Sequence, residues 1–366
     1  MNTLVPLEYY TPLYFHFLLI VVLVLWVKSG SVDLSNNSNL QVKNSAGILI
    51  LFLLIAYMGL RPISYYFGDM GTYMKEFVSY QNGQPFDGSK EYIFESLKFF
   101  FAKNGTAELF FFTCCVLYVW PVFFISKKLF QNYWYYSFIV LIGSFSFWSY
   151  GTNGIRQGVA TSIFLIGLTS KNNFIKTTFC CLSFLIHKSL LLVTAAFVLV
   201  HFVQNTKYYF RGWLFAIVLS VAAGRFFESL FASFSVVDEK SKQYLGDYEA
   251  VKKEIVLKVG FRWDFLIYSG LGVLAIWFFI IKKKYQDPIY LKIAHLYLTV
   301  NAFWILVIRA NYSNRIAYLS WFMLGLVIIY PLLKVQFFKN QHVVVGLTIF
   351  GYYLVTYFLC IVFPSQ

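Results

Sequence analysis

Phe174-Ile-Lys-Thr-Thr-Phe-Cys-Cys-Leu-Ser-Phe-Leu-Ile-His187-Lys188-Ser189-Leu-Leu-Leu-Val-Thr-Ala-Ala-Phe-Val-Leu-Val-His-Phe202 is the stretch on which the topology turns. It is too long for one simple span, since a bilayer core of about 30 Å needs about 20 apolar helical residues. Polar residues interrupt it at His187, Lys188 and Ser189. The reading is therefore two short helices, 173–187 and 189–203, with His187 at the turn between them. Further apolar runs lie at about 12–27, 46–60, 106–126, 133–150, 155–170, 211–232, 264–281, 289–309, 315–333 and 342–362, which brings the candidate helices to twelve.

Charge supports the split. With twelve spans and both termini outside, the short loops carrying Lys28, Lys43, Lys127, Lys128, Lys171, Lys176, Lys207, Arg211, Lys282, Lys283, Lys284, Lys334 and Lys339 all fall inside. A single span over 174–202 would move Lys282 to Lys284 to the other side, against the bias of cytoplasmic loops toward Lys and Arg. Nearly all acids then face outward, among them Asp69, Glu91, Glu95, Asp238, Asp247 and Asp264. The first run follows Glu8 rather than a basic segment and has no small-residue cleavage site after it, so it reads as a retained span.

Composition agrees: 59% of the 366 residues are hydrophobic and 13% charged, too apolar for a soluble domain of this size. The expected fold is an all-α integral membrane protein of about 12 transmembrane helices, a single polytopic domain over 1–366 whose surroundings are the lipid bilayer. The net charge of +14 is scattered among hydrophobic runs rather than gathered in a basic domain, which argues against a nucleic-acid partner. All five cysteines lie in apolar stretches without ligand spacing and read as small hydrophobes.

Two segments, about 61–105 and 235–263, are long enough to form structured extracytoplasmic loops. In the first, Ile93, Leu97 and Phe100 recur at helical spacing beside Lys90 and Lys98, the pattern of a helix lying in the interface. In the second, Glu249 with Lys253 and Glu254 with Lys258 are favourable i,i+4 pairs beside a Val251, Ile255, Val259 stripe.

The residues able to carry chemistry gather at outer span ends: Arg61, Arg156, Arg262, Arg309 and Arg315. Arginine in or near hydrocarbon is costly, and its planar fork suits phosphate oxygens. Each alone could instead reach to lipid headgroups or pair with Asp69 or Asp264. Three segments stand out: Arg61 to Tyr73 with Gly68-Asp69; Gly151 to Ala160, with Arg156 and Gln157 opening a span; and Asn311 to Tyr318 around Arg315. Gly154 and Gly158 also form a small-residue pair suited to close helix packing. His187 is either a base or an ordinary interfacial histidine. His16, His201, His295 and His342 lack polar company, and no ligand-spaced histidine pair or phosphate-cradling glycine loop is present, so neither a metal nor a cofactor is expected. Outer tyrosines such as Tyr65, Tyr66, Tyr73, Tyr80, Tyr244 and Tyr248 serve as an interface belt or as sugar-stacking platforms.

At these segments the chain resembles the EpsG branch of the Wzy-type polysaccharide polymerases. The resemblance rests on Arg61 with Gly68-Asp69 and Tyr73, Arg156-Gln157 with Ala160, His187 with Ser189, Phe261-Arg262 with Asp264-Phe265, and Asn314-Arg315 with Tyr318. It implies an enzyme of the bacterial inner membrane, active toward the periplasm or exterior, that polymerises O-antigen or exopolysaccharide. The growing glycan would leave undecaprenyl diphosphate for a hydroxyl of a new lipid-linked repeat unit, by inversion and without metal. Arg156 and Arg315 would act on the diphosphate, and Asp69 or His187 on the acceptor hydroxyl. Arg61, Gln157, Arg262, Asp264, Arg309, Tyr73 and Tyr318 would bind diphosphate or sugar, and a chain-length regulator would be a further partner. Two alternatives stand beside this: a flippase or transporter of lipid-linked oligosaccharide, whose charges belong nearer the midplane, and a type C lipid-phosphosugar glycosyltransferase, which usually carries an acidic pair where Asp69 stands alone.

Overall fold

A computed structural model describes residues 5–30, 37–88, 91–233, 260–310 and 313–363. Every apolar run named above is helical, and no strand occurs among the described residues. In chain order the helices are α1 (Tyr10–Ser29), α2 (Asn37–Gly59), α3 (Asp69–Gln81), α4 (Tyr92–Asn104), α5 (Ala107–Phe130), α6 (Trp134–Ile142), α7 (Phe145–Thr152) and α8 (Ile155–Leu168). They continue as α9 (Asn173–Ile186), α10 (Leu190–Phe202), α11 (Thr206–Ser233), α12 (Trp263–Ile276), α13 (Pro288–Leu306), α14 (Asn314–Trp321), α15 (Leu324–Lys334) and α16 (Gln341–Tyr357). The chain is an all-α membrane protein.

Among the described residues, eight helical segments are long and apolar enough to cross a bilayer. The expected count of twelve is not reached by length, and the reason is local. The run at 133–150 breaks at Gly143-Ser144 into α6 and α7. Helices α8, α9 and α10 have 14, 14 and 13 residues, about 20 Å at 1.5 Å per residue and short of a core of about 30 Å. The split in Phe174–Phe202 is present: His187 adopts an extended backbone (φ −150°, ψ 121°) that ends α9, and α10 begins at Leu190. Asn172 caps the other end of α9, its side chain accepting from the N–H groups of Phe174 and Ile175 at 2.8 and 3.3 Å.

The residues divide into two compact units, Met1–His187 with Leu332–Pro364, and Lys188–Pro331. In the first, α8 packs on α9 and α5, α2 on α5, and α1 on α16. Carbonyls near the α6–α7 break find tyrosines: Tyr14 donates to the Ile142 carbonyl, and Tyr118 to that of Phe147 at 3.0 Å. In an apolar medium such partners stand in for water. Gly158 presses α8 onto α7, since a Cβ there would meet the Tyr150 carbonyl oxygen at 2.7 Å. Outward, Leu49 and Phe52 of α2 are each 60% exposed, an apolar surface suited to lipid.

In the second unit, α13 packs on α10, α11 and α14 around the fully buried Asn301. Its amide nitrogen donates to Ser269 and Ser320, each at 3.0 Å, and its oxygen accepts from the Trp213 indole at 2.8 Å. His295, expected to lack polar company, lies 2.8 Å from the Thr206 hydroxyl and stacks on Tyr209. In the first unit His16 likewise meets the Tyr357 hydroxyl, at 3.0 Å. Nothing in the local sequence spacing announces these pairs, which join positions far apart in the chain.

The segment 61–105 is structured, and α4 is the helix its periodicity predicts. Of its apolar stripe Phe100 is 57% exposed while Ile93 and Leu97 are half-buried, and Lys98 is fully buried. The Lys98 ammonium pairs with Glu76 and, at 2.8 Å, with Glu95, whose other oxygen accepts from the Tyr80 hydroxyl at 2.9 Å. These contacts hold α4 against α3. The helix expected within 235–263, with its Glu249 and Lys253 pair, lies outside the described residues except for 260–263, and so do Asp238, Lys240, Tyr244, Asp247, Tyr248 and Asn311.

Candidate functional site

Chain exit from α2 sets the first wall of the site. Arg61 is buried, donating to the carbonyls of Met58 and, at 3.2 Å, of Thr152 at the end of α7. A few residues on, Gly68 turns the chain with φ +62°, ψ −117°, a conformation open to glycine, and Asp69 opens α3. The Asp69 N–H donates to the Asn153 side-chain oxygen at 2.9 Å. The stretch from α2 into α3 is therefore tied at two points, to the end of α7 and to Asn153 after it, and the second tie needs Gly68, where a Cβ would run into the Asn153 amide.

That docking brings α3 beside the first turn of α8. The Arg156 Nε donates to the Tyr73 hydroxyl at 3.0 Å, and Nη1 donates to Glu91 Oε2 at 2.7 Å. The other carboxylate oxygen, Glu91 Oε1, lies 3.2 Å from Nδ1 of His187. One carboxylate thus bridges an arginine from the start of α8 and a histidine from the end of α9. Glu91 is 4% exposed and His187 7%, so neither is solvated like a surface group. Gln157 is buried in the same turn of α8.

Electrostatics fixes the roles in this triad. Burial alone would raise the Glu91 carboxyl, but the His187 hydrogen bond and the Arg156 charge outweigh it and hold Glu91 at about 2. An ionised carboxylate accepts only, so Nδ1 of His187 carries the proton in this bond, and Nε2 is the nitrogen able to take another.

In the second unit Arg262 is paired. Its Nε and Nη2 meet the two oxygens of Asp264 at 3.0 and 2.7 Å, and its guanidinium carbon lies 3.7 Å from the Phe265 ring centroid. This is the pairing with Asp264 that the sequence left open. Arg309 reaches the Val221 carbonyl at 3.4 Å and lies 5.8 Å from the Phe261 ring centroid. Asn314 holds the Arg315 N–H through its side-chain oxygen at 3.1 Å and contacts the Tyr318 hydroxyl at 3.4 Å.

Residues 44–366 match the family described as the EpsG family. The chain belongs to the EpsG family. No curated protein and no solved structure matches it.

Family membership supports a polysaccharide polymerase-like role for this membrane protein, of the kind associated with glycosyltransferase-like polymerases. Within this EpsG-family chain, the sequence candidates Tyr73, Arg156 and His187 come together, with Arg61 in the adjoining loop and Asp69 at the start of α3. Arg262, Asp264, Arg309, Arg315 and Tyr318 belong to the other unit. Sequence reasoning missed Glu91 as a member of the site. It is the residue before α4, and its side chain is drawn to partners from α8 and α9. The available signal was an acid directly ahead of a helix rich in apolar residues, within the same 61–105 segment as Asp69.

Proposed function

We propose that this EpsG-family protein is a polysaccharide polymerase of the bacterial inner membrane. It transfers the growing glycan from undecaprenyl diphosphate to a hydroxyl of a new lipid-linked repeat unit, on the non-cytoplasmic face. One observation carries the reading: Arg156 and His187 are held to the two oxygens of a single carboxylate. A cation able to grip a departing diphosphate and a base able to take a hydroxyl proton therefore lie side by side.

In the proposed reaction the acceptor O–H gives its proton to Nε2 of His187, and its oxygen bonds to the anomeric carbon. The bond from that carbon to the diphosphate breaks, the diphosphate keeps the electron pair, and configuration inverts. Arg156 stabilises the negative charge that develops on the leaving oxygen, an electrostatic contribution that grows in the transition state. Tyr73, buried against Phe94, orients the guanidinium through its hydroxyl and is not placed to stack on sugar. Arg309 and Arg315 are proposed anion-binding residues on the sequence pattern alone, and Gln157 and Tyr318 are proposed sugar-binding residues on the same ground.

The glycan ladder tests the reaction. A strain lacking the gene should leave single repeat units on the surface glycolipid, or lipid-linked single units outside, with longer chains absent. Arg156→Ala should do the same. A surviving ladder, or loss of even the one-repeat product as a flippase predicts, rejects the polymerase reading. In reconstituted membranes, loss of polymerisation in His187→Gln with activity kept in Asp69→Asn supports histidine as the base. The opposite result supports Asp69, and full activity in both removes both.

A further inference from the structure

Among the acids of the described residues, Glu91 is unusual in being both nearly sealed from solvent and shared between two candidate reacting groups. Its side chain is 4% exposed, against 16% for Arg156 and 9% for His187. A buried carboxylate must be compensated by charge or hydrogen bonds, because water is not there to do it. Here the compensation comes from Arg156 on Oε2 at 2.7 Å and from His187 on Oε1 at 3.2 Å. The guanidinium proposed to receive a diphosphate thus already holds an anion. The Nε and Nη1 groups of its fork are engaged, by Tyr73 and Glu91.

We infer that Glu91 is an internal counter-anion, which occupies Arg156 until the donor diphosphate displaces it and then remains with His187. The inference rests on the reading that Arg156 binds the diphosphate. A diphosphate brings more negative charge and more oxygens than one carboxylate, and a guanidinium fork binds such groups in two-pronged fashion. Displacement leaves Glu91 with less compensation in a site that water barely reaches. The group beside it that can supply a positive charge is His187, which becomes an imidazolium when it accepts the hydroxyl proton. Loading of the donor and activation of the acceptor are thereby coupled through one carboxylate, which acts as a positioning residue and touches no reacting atom.

This arrangement has an unusual consequence for Glu91→Gln. The amide keeps the size and can still meet His187, but it no longer competes for Arg156 as an anion does. Donor binding should tighten while turnover falls, a split between KM and kcat that a merely structural glutamate would not produce. Loss of a structural support would weaken both.

The test uses the purified full chain in detergent, with inorganic pyrophosphate as the probe and calorimetry as the readout, beside polymerisation kinetics in vesicles. Wild type should bind pyrophosphate, and Arg156→Ala should lose most of that binding. Glu91→Gln should bind it about tenfold more tightly than wild type, equivalent to ~1.4 kcal/mol, with lower KM and lower kcat. Equal or weaker pyrophosphate binding in Glu91→Gln overturns the counter-anion role. Undetectable binding in wild type, or equal binding in wild type and Arg156→Ala, overturns the diphosphate role of Arg156 and this inference with it. If Glu91→Gln is not monodisperse, Glu91→Asp decides: its shorter carboxylate cannot span both partners, so tighter pyrophosphate binding than wild type supports the role and unchanged binding overturns it.

Discussion

The side-chain oxygen of Asn153 accepts the backbone N–H of Asp69 at 2.9 Å, joining the start of α3 to the residue after α7. Through this contact the segment carrying Arg61, Asp69 and Tyr73 is registered against Arg156. Asn153→Ala should therefore lower polymer output while costing only about 1 kcal/mol of stability, the typical net worth of one such bond. Gly68→Ala should cost more, on the order of 1–3 kcal/mol, since it adds a strained backbone conformation to a clash with the Asn153 amide. Thermal unfolding in detergent, set beside the glycan ladder, measures both. Normal output from both variants would show that the registry does not matter.

Arg156 and Arg315 should fail to tolerate lysine. Arg156 donates from two nitrogens to partners on different elements, Tyr73 of α3 and Glu91 ahead of α4, and an ammonium on a flexible stem cannot reproduce that fork. Expected protein levels in both Lys variants are near wild type, with polymer absent or reduced at least about tenfold. If both keep full output at wild-type levels, the diphosphate role is wrong.

Acid should weaken the first unit through Glu91. Its folded value of about 2 lies below the ordinary 4.5. The associated stability is thus fully present above about pH 4.5 and is lost as pH falls toward 2, because the unfolded chain binds the proton first. For a buried group the effect is on the order of 2 kcal/mol. Comparison of melting temperatures from pH 6 down to pH 3 should give a flatter profile for Glu91→Gln than for wild type. Parallel profiles would remove Glu91 from the acid response.

Single cysteines in a background without the native five test the sidedness. Cysteines replacing Lys128, Lys171, Lys207, Lys283 and Lys334 should be protected from an impermeant reagent added outside, and those replacing Asp69, His187, Lys240 and Arg315 should react once denaturant exposes buried positions from the same side. External labelling at Lys207 would reject the inward placement of the lysine-bearing loops.

The amino-acid sequence by itself determined that this chain is a helical membrane protein, since composition and apolar period reflect a solvent that tolerates only internally hydrogen-bonded backbone. It also determined the break at His187, where a polar triplet interrupts an apolar run, and it singled out Arg156 and His187 by their places at helix ends. Tertiary structure alone decided what those ends face. Glu91 precedes α4 and its partners come from α8 and α9, and no local spacing encodes a contact between positions 65 and 96 residues apart. Lys98 shows the same limit: an amphipathic pattern marks α4 as a helix, but only the packing of α3 supplied Glu76, whose charge, with that of Glu95, compensates a fully buried ammonium. Helix length was decided there too, because whether α8, α9 and α10 reach across a bilayer depends on where capping residues such as Asn172 and His187 stop each helix.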